Sequence, residues 1–309
     1  SNENPLGCSP AAIKRAIKLV GECNRYPDSS GHELREKLSD MYDLDISNVV
    51  LGAGSEGIMS NIMRTFLTSG DKIISSMNSF IGFKVLADAS GYEADWVPMK
   101  DYTYDLEEIA NRIDTQTKII YLANPDNPTG TYFNKKDFDS FMSKVPERVL
   151  IILDEAYYEY ANHLEDYPDS MLYRYDNVIT LRTFSKVYGL AGFRVGYGFA
   201  HSELISNLLK VKLPFEPSSL SQEAALAALD DHDFIASSMK LNLEEKKQAG
   251  SIKENSYLNP KTIYGCNKLY CENIGSFYQI RYNDIDFRSI RFPGIISSQT
   301  IPTGGTSDY

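Results

Sequence analysis

The sequence predicts an α/β fold: a mostly parallel sheet with helices on both faces, joined to a smaller α+β domain. Three observations lead to this. Short apolar stretches of strand length alternate with helical patterns through the first two thirds of the chain. Residues 149–153 are an uninterrupted apolar run, as expected of a strand covered on both faces. After about residue 203 the pattern changes, first to helices and then to short aromatic-rich segments. The implied division is a large domain over residues 24–213 and a small one made of residues 1–23 and 214–309, joined near Pro214 and Pro217.

In chain order, residues 1–9 read as an extended or looped entry. Residues 10–20 carry Ile13, Ile17 and Val20 at helical spacing, with Pro10 suited to a first turn. The Arg25-Tyr26-Pro27-Asp28 segment breaks that helix. Residues 31–42 resume one, with Leu34, Leu38 and Met41 on one face. Residues 48–51 form a strand that runs into the glycine turn 52–57 and a helix bearing Ile58, Ile62, Met63 and Phe66. Strand, glycine turn and helix leave free backbone N–H groups facing an anion, although the same connection is common with no ligand.

Residues 72–76 are a strand, and 79–91 are helical around Phe83, Val85, Leu86 and Ala89. The strand at 118–122 stops at residues 124–130, where two prolines forbid regular structure. An amphipathic helix at 135–144 leads to the apolar strand 149–153, which ends in Asp154-Glu155-Ala156-Tyr157. Residues 178–181 are a further strand, followed by the stretch TLRTFSKVYGLAGFRVGY at 180–197. Residues 203–212 and 220–250 read as helices. Residues 262–282, with Tyr264, Tyr270, Phe277 and Tyr278, read as short strands, and 294–309 as loop.

Bulk composition excludes several classes. The net charge is −11, from 31 basic and 42 acidic residues, which disfavours a nucleic-acid surface. No apolar run is long enough to cross a bilayer, and the polar start SNENPLGCSP has no signal pattern. A cytoplasmic protein is the expectation. The four cysteines (Cys8, Cys23, Cys266, Cys271) are too scattered for a disulfide framework, and the four histidines are isolated, so no metal site is expected.

In open α/β sheets ligands sit outside the carboxyl ends of the strands. The 52–57 turn, residues 124–130, Asp154 to Tyr157 and Thr183 to Lys186 all lie at strand ends and should converge on one crevice. Lys186 has Thr183 and Ser185 before it and Arg194 after it. Two hydroxyls, a guanidinium and an amine make a phosphate seat with a nucleophile beside it, which is what pyridoxal phosphate requires. The stretch alone fits an ordinary surface loop equally well. Asp154 at the end of an apolar strand needs a cationic partner, and a protonated pyridine nitrogen would be one. A helix cap or turn role would also account for it. Asn127 and Tyr157 could bond a phenolic oxygen, or serve as turn former and packed aromatic.

Six segments carry a family likeness: SNENPLG at 1–7, RYPD at 25–28, GAGSEG at 52–57, NPDNPTG at 124–130, DEAYYEY at 154–160 and TFSKVYGLAGFRVGY at 183–197. Through them the chain resembles the fold-type I pyridoxal phosphate-dependent aminotransferases, and within these the histidinol-phosphate aminotransferase family most closely. The resemblance implies that Lys186 forms the Schiff base with pyridoxal 5'-phosphate and that Asp154 partners the pyridine nitrogen. It implies that Asn127 and Tyr157 bind the ring oxygen. It assigns the phosphate to Gly54, Ser55, Glu56, Thr183, Ser185 and Arg194. Phe80 falls where the family stacks an aromatic, often tyrosine, on the ring. Tyr26 matches a tyrosine supplied to the phosphate by the partner subunit, which implies a homodimer.

The expected reaction is transamination, with histidinol phosphate as donor and 2-oxoglutarate as the 2-oxo acid acceptor. Alternatives are a donor among the aromatic amino acids, a decarboxylase of a phosphorylated amino acid, a ligand-sensing regulator domain, and an inactive relative; keeping both Lys186 and Asp154 argues against the last. The family has an arm before SNENPLG and, near the C-terminus, an arginine that grips the substrate carboxylate. Neither is matched here, so truncation is expected at both ends, with Arg281, Arg288 and Arg291 as unsupported substitutes for that arginine.

Overall fold

A computed structural model describes residues 2–170 and 175–248. The segments expected as strands at 262–282, the loop at 294–309, Cys266, Cys271 and the three candidate arginines lie outside the described residues.

Helix α1 (Pro10–Leu19) starts at Ser9, whose hydroxyl accepts the Ala12 N–H. It packs against α9 (Ser219–Leu229). The buried face of α1 is Ala12 and Ala16, while Ile17 is 68% and Val20 58% exposed and Ile13 is also exposed. The reason is the partner: α9 presents buried Ala224, Ala225 and Ala228, and small side chains on both helices let the backbones approach closely. On α2 (His32–Met41), Leu34 and Leu38 are buried as expected, and Met41 is exposed.

Strand β1 (Val49–Gly52) and helix α3 (Gly54–Phe66) follow. Then come β2 (Lys72–Ser76), α4 (Ile81–Ser90), β3 (Glu93–Val97), α5 (Leu106–Asn111), β4 (Thr117–Ala123) and α6 (Lys135–Met142). The chain continues through β5 (Leu150–Asp154), the single turn α7 (Tyr158–Ala161), β6 (Val178–Thr183) and β7 (Gly196–Phe199). Helices α8 (Ser202–Val211), α9 and α10 (His232–Gln248) complete the described elements. The helix expected over 220–250 is therefore two, broken at residues 230–231.

The seven strands form one sheet in the order β1-β7-β6-β5-β4-β2-β3. Pairs β2/β3, β2/β4, β4/β5 and β5/β6 are parallel, and β7 is antiparallel to both β1 and β6. The mostly parallel sheet of the prediction is thus observed. Strand β7 reverses because the Lys186 stretch turns directly back beside β6, with no crossover helix. Strand β7 escaped the sequence reading because its glycines at 196 and 198 read as loop. Strand β3 escaped it because an edge strand carrying Glu93 and Asp95 has no apolar run.

Strand β1 divides its side chains between two hydrophobic clusters. Val50 of β1 joins Ile58, Ile62, Phe83 and Ile119 in one, and its neighbours Val49 and Leu51 join Leu34, Leu38, Phe184 and Tyr197 in the other. That is the period-two alternation of a strand covered on both sides.

Arg182 on β6 is fully buried. Its Nε and Nη2 donate to Glu155 Oε2 at 2.9 and 2.7 Å, and its guanidinium lies 3.3 Å from the Tyr158 ring centroid. The pair ties β6 to the end of β5, where Asp154 sits. Arg182→Met would strand the Glu155 carboxylate in a dry site. The expected loss is about 3–5 kcal/mol in urea denaturation, largely recovered by adding Glu155→Leu.

Candidate active site

Four strand ends build the site. β4 ends into the loop holding Pro125 and Asn127, β5 ends at Asp154, β6 ends at Thr183, and β1 leads through its turn into α3. With Phe80, which follows β2, they surround an open cavity of about 240 Å³ lined by Ser55, Glu56, Phe80, Asn127, Asp154, Tyr157, Thr183, Ser185, Lys186 and Arg194. Ten of the twelve sequence-predicted residues therefore line one cavity. Gly54 touches it through Arg194, because a Cβ built there would fall 2.5 Å from Arg194 Nη2. Tyr26 is not brought to the cavity. Its ring is 78% exposed and stacks on Phe215 at 4.2 Å.

Asp154 is 4% exposed. Its Oδ2 accepts the Tyr121 hydroxyl at 2.7 Å and its Oδ1 accepts the Ala156 N–H at 3.1 Å. Burial pushes its pKa up to about 6, against the opposing pull of these two donors and of Lys186. The Lys186 pKa is pushed down, first by burial; Asp154 and Glu3 pull it the other way. A lysine so placed carries more of its amine in the neutral, nucleophilic form. Its Nζ lies 5.4 Å from the centre of the Tyr157 ring. The Tyr157 hydroxyl accepts from Asn2 Nδ2 at 2.7 Å, and burial pushes its own pKa up.

Part of the cavity lining has the chemistry of an anion seat. Helix α3 begins at Gly54, and Ala53 before it offers no capping oxygen, so the first-turn N–H groups remain available. Gly54 has φ +76°, in the left-handed region that favours glycine. Gly196 lets β7 press against this turn, since a Cβ there would sit 2.5 Å from Ser55 N. Thr183 Oγ1 donates to Ser185 Oγ at 3.0 Å, pairing the two hydroxyls. Arg194 has φ +52°, a conformation a non-glycine residue holds only when its surroundings enforce it. Its Nη2 contacts Glu56 Oε2 at 3.0 Å. The Glu56 side chain thus orients the guanidinium, a role the sequence reading did not anticipate.

Sequence reasoning also missed Tyr121, Asn2 and Glu3, all of which line the cavity. A signal for Tyr121 was present: a phenol inside an apolar strand must find a hydrogen-bond partner. Asn2 and Glu3 belong to the N-terminal motif, but nothing local says that this segment folds over the Lys186 stretch. It does so through Asn4, whose amide donates to Val187 O and to Ser238 Oγ. Among the described residues, no cluster of histidine, cysteine, aspartate or glutamate could hold a metal ion. Among them, too, no helix is long and apolar enough to cross a membrane.

The family model described as aminotransferase class I and II matches residues 1–256. Histidinol-phosphate aminotransferase 1 of Nitrosococcus oceani is 41% identical over 244 residues, covering 78% of this chain and 66% of its own. Histidinol-phosphate aminotransferase of a Geobacillus species is 42% identical over 244 residues, covering 78% and 67%. The chain spans about two thirds of the length of these curated relatives. Among solved structures, histidinol-phosphate aminotransferase from Sinorhizobium meliloti, in complex with pyridoxal-5'-phosphate, superposes with a TM-score of 0.76 at 30% identity. That match covers 81% of this chain and 68% of the other. An aspartate aminotransferase from Thermus thermophilus, at 18% identity and a TM-score of 0.72 over 80% of this chain and 69% of that one, shares the fold.

Proposed function

The chain belongs to the class I and II aminotransferase family, and on that premise we propose that it transfers an amino group from histidinol phosphate to 2-oxoglutarate with pyridoxal 5'-phosphate as cofactor. The observation that carries the reading is that Lys186 and Asp154, delivered by adjacent strands β6 and β5, face the same cavity as the α3 anion seat.

The donor set fits the cofactor. A buried carboxylate suits a pyridinium nitrogen, a desolvated amine suits an aldehyde, and a helix N-terminus flanked by two hydroxyls and a guanidinium suits a phosphate. In this reading Asp154 holds the ring nitrogen and Asn127 and Tyr157 bond the ring oxygen. Phe80 covers the ring. Thr183, Ser185, Arg194 and the N–H groups of residues 54–56 hold the phosphate. When bound, the cofactor supplies a carbonyl that captures the donor's amino group and a ring that draws electrons from the adjacent carbon.

The protein does the rest. Lys186 Nζ would take the proton from the donor's amine-bearing carbon and return protons during the second half of the cycle. Burial favours the neutral amine this step needs. Asp154 stays an anion through its two hydrogen-bond donors and through Lys186. The Asn2 side chain fixes the Tyr157 hydroxyl. The proposal includes a homodimer, supported by the Tyr26 ring, which faces solvent, stacked on Phe215, rather than lining this chain's own cavity. Sedimentation at twice the chain mass checks it.

The decisive experiment is a donor screen followed by the cofactor's visible absorbance. Histidinol phosphate should bleach it and 2-oxoglutarate should restore it. Bleaching by aromatic amino acids alone would change the donor, and carbon dioxide release would change the reaction to decarboxylation. DNA binding without turnover would point to a regulator. No spectral response to any donor overturns the proposal.

A further inference from the structure

Tyr121 enters the reading above only as one of the two donors to Asp154. It is fully buried inside β4 and stacks on Phe83 of α4, with ring centroids 3.9 Å apart and planes within 9°. Its hydroxyl reaches the cavity edge and donates to Asp154 Oδ2 at 2.7 Å. A phenol held this rigidly cannot swing away when the carboxylate beneath it changes charge.

We propose that Tyr121 is a positioning residue that holds Asp154 as an oriented anion for the ring nitrogen of the cofactor. This rests on the reading of Asp154 given above. The argument turns on what surrounds that carboxylate. On its own strand end are the Glu155 carboxylate, which opposes its charge, and the Ala156 N–H, which favours it. Lys186, from the stretch after β6, favours it too. Tyr157 and Tyr104 also sense its charge, yet their hydroxyls are engaged elsewhere, Tyr157 with Asn2 and Tyr104 with Ser79 and Ala123 N. Lys186 is itself a reacting group and cannot serve as a constant counter-charge. Tyr121 and the Ala156 N–H are then the donors that remain throughout a cycle.

A hydrogen bond to a charged group contributes roughly 1.5–3 kcal/mol, equal to a shift of about one to two pH units. The test is pyridoxal phosphate binding to the apoprotein between pH 5 and 9, followed by absorbance. Wild type should lose affinity as pH falls through the Asp154 titration. In Tyr121→Phe the midpoint of that loss should move up by about one unit, with affinity at pH 9 within about threefold of wild type. In an Asp154→Asn background the same substitution should move nothing. Phe83→Leu, which removes the stacking partner and keeps the hydroxyl, should move the midpoint by less than Tyr121→Phe does.

If Tyr121→Phe does not fold, Tyr121→Met removes the same donor with a flexible filler. A midpoint equal to wild type, an equal loss at every pH, or a shift in Phe83→Leu as large overturns the inference. Failure of wild type to bind pyridoxal phosphate would sink the functional proposal instead, so the two failures are distinguishable.

Discussion

Lys186→Ala is expected to lower transamination by at least about 10⁴-fold while leaving the protein folded. The side chain sits in a preformed cavity, and the Thr183 and Ser185 hydroxyls pair with each other rather than with it. The anion seat at α3 and Arg194 should therefore survive, and the cofactor's phosphate should still bind. On the proposed reading two functions would vanish together: the amine that bonds the cofactor and the base that moves the proton. The variant should bind pyridoxal phosphate without the spectrum of a lysine-bonded cofactor, and single-turnover absorbance should show the loss in chemistry rather than in binding. Turnover within tenfold of wild type would remove Lys186 from the reaction. Asp154 should respond too, because Lys186 is one of the groups that lower its pKa.

Asp154→Asn is expected to separate stability from function. In the apoprotein the Asp154 pKa is about 6, above the ordinary carboxylate value, because burial penalises its charge. A carboxylate with a raised folded-state pKa contributes stability when protonated. That contribution is complete below about pH 4 and is lost as pH rises through about 6. At pH 8 the ionised group costs the fold on the order of 2–3 kcal/mol, from a shift of roughly two units. The neutral amide avoids that cost, so apo Asp154→Asn should be more stable than wild type at pH 8. The gap should close as pH falls toward 4. Urea denaturation at both pH values checks the sign, and a gap that widens toward acid contradicts it. Activity should move the opposite way, falling by roughly 10²–10⁴-fold, since an amide cannot pair with a pyridinium nitrogen. A residue that costs stability where it serves function is the pattern expected of an active site.

Much of the architecture was legible without coordinates. β2 was read to its exact bounds and β5 to within a residue, because apolar runs closed by turn residues carry a strand signal that does not depend on neighbours. The segments flanking Lys186 and Asp154 were legible as chemistry only jointly, because several strand ends of one parallel sheet converge on one crevice and their motifs carry the family likeness. Strand β7 was not legible, since its two glycines break the local pattern and only pairing with β1 and β6 makes it a strand. That Ile13 and Ile17 face outward was not legible for a related reason. Periodicity identifies an apolar stripe on a helix, but the shape of the partner helix decides which stripe is buried.

The candidate charged and nucleophilic residues, and the parallel strands that carry them, were legible in sequence alone, because residue type and periodicity are properties of the chain. Only the tertiary structure decided which groups tune them: Tyr121 on Asp154, Asn2 on Tyr157, Glu56 on Arg194. Those pairs are 33, 155 and 138 residues apart in the chain. Hydrogen bonds and ion pairs act over a few ångströms of space, and no local pattern encodes which distant residues folding will bring within that reach.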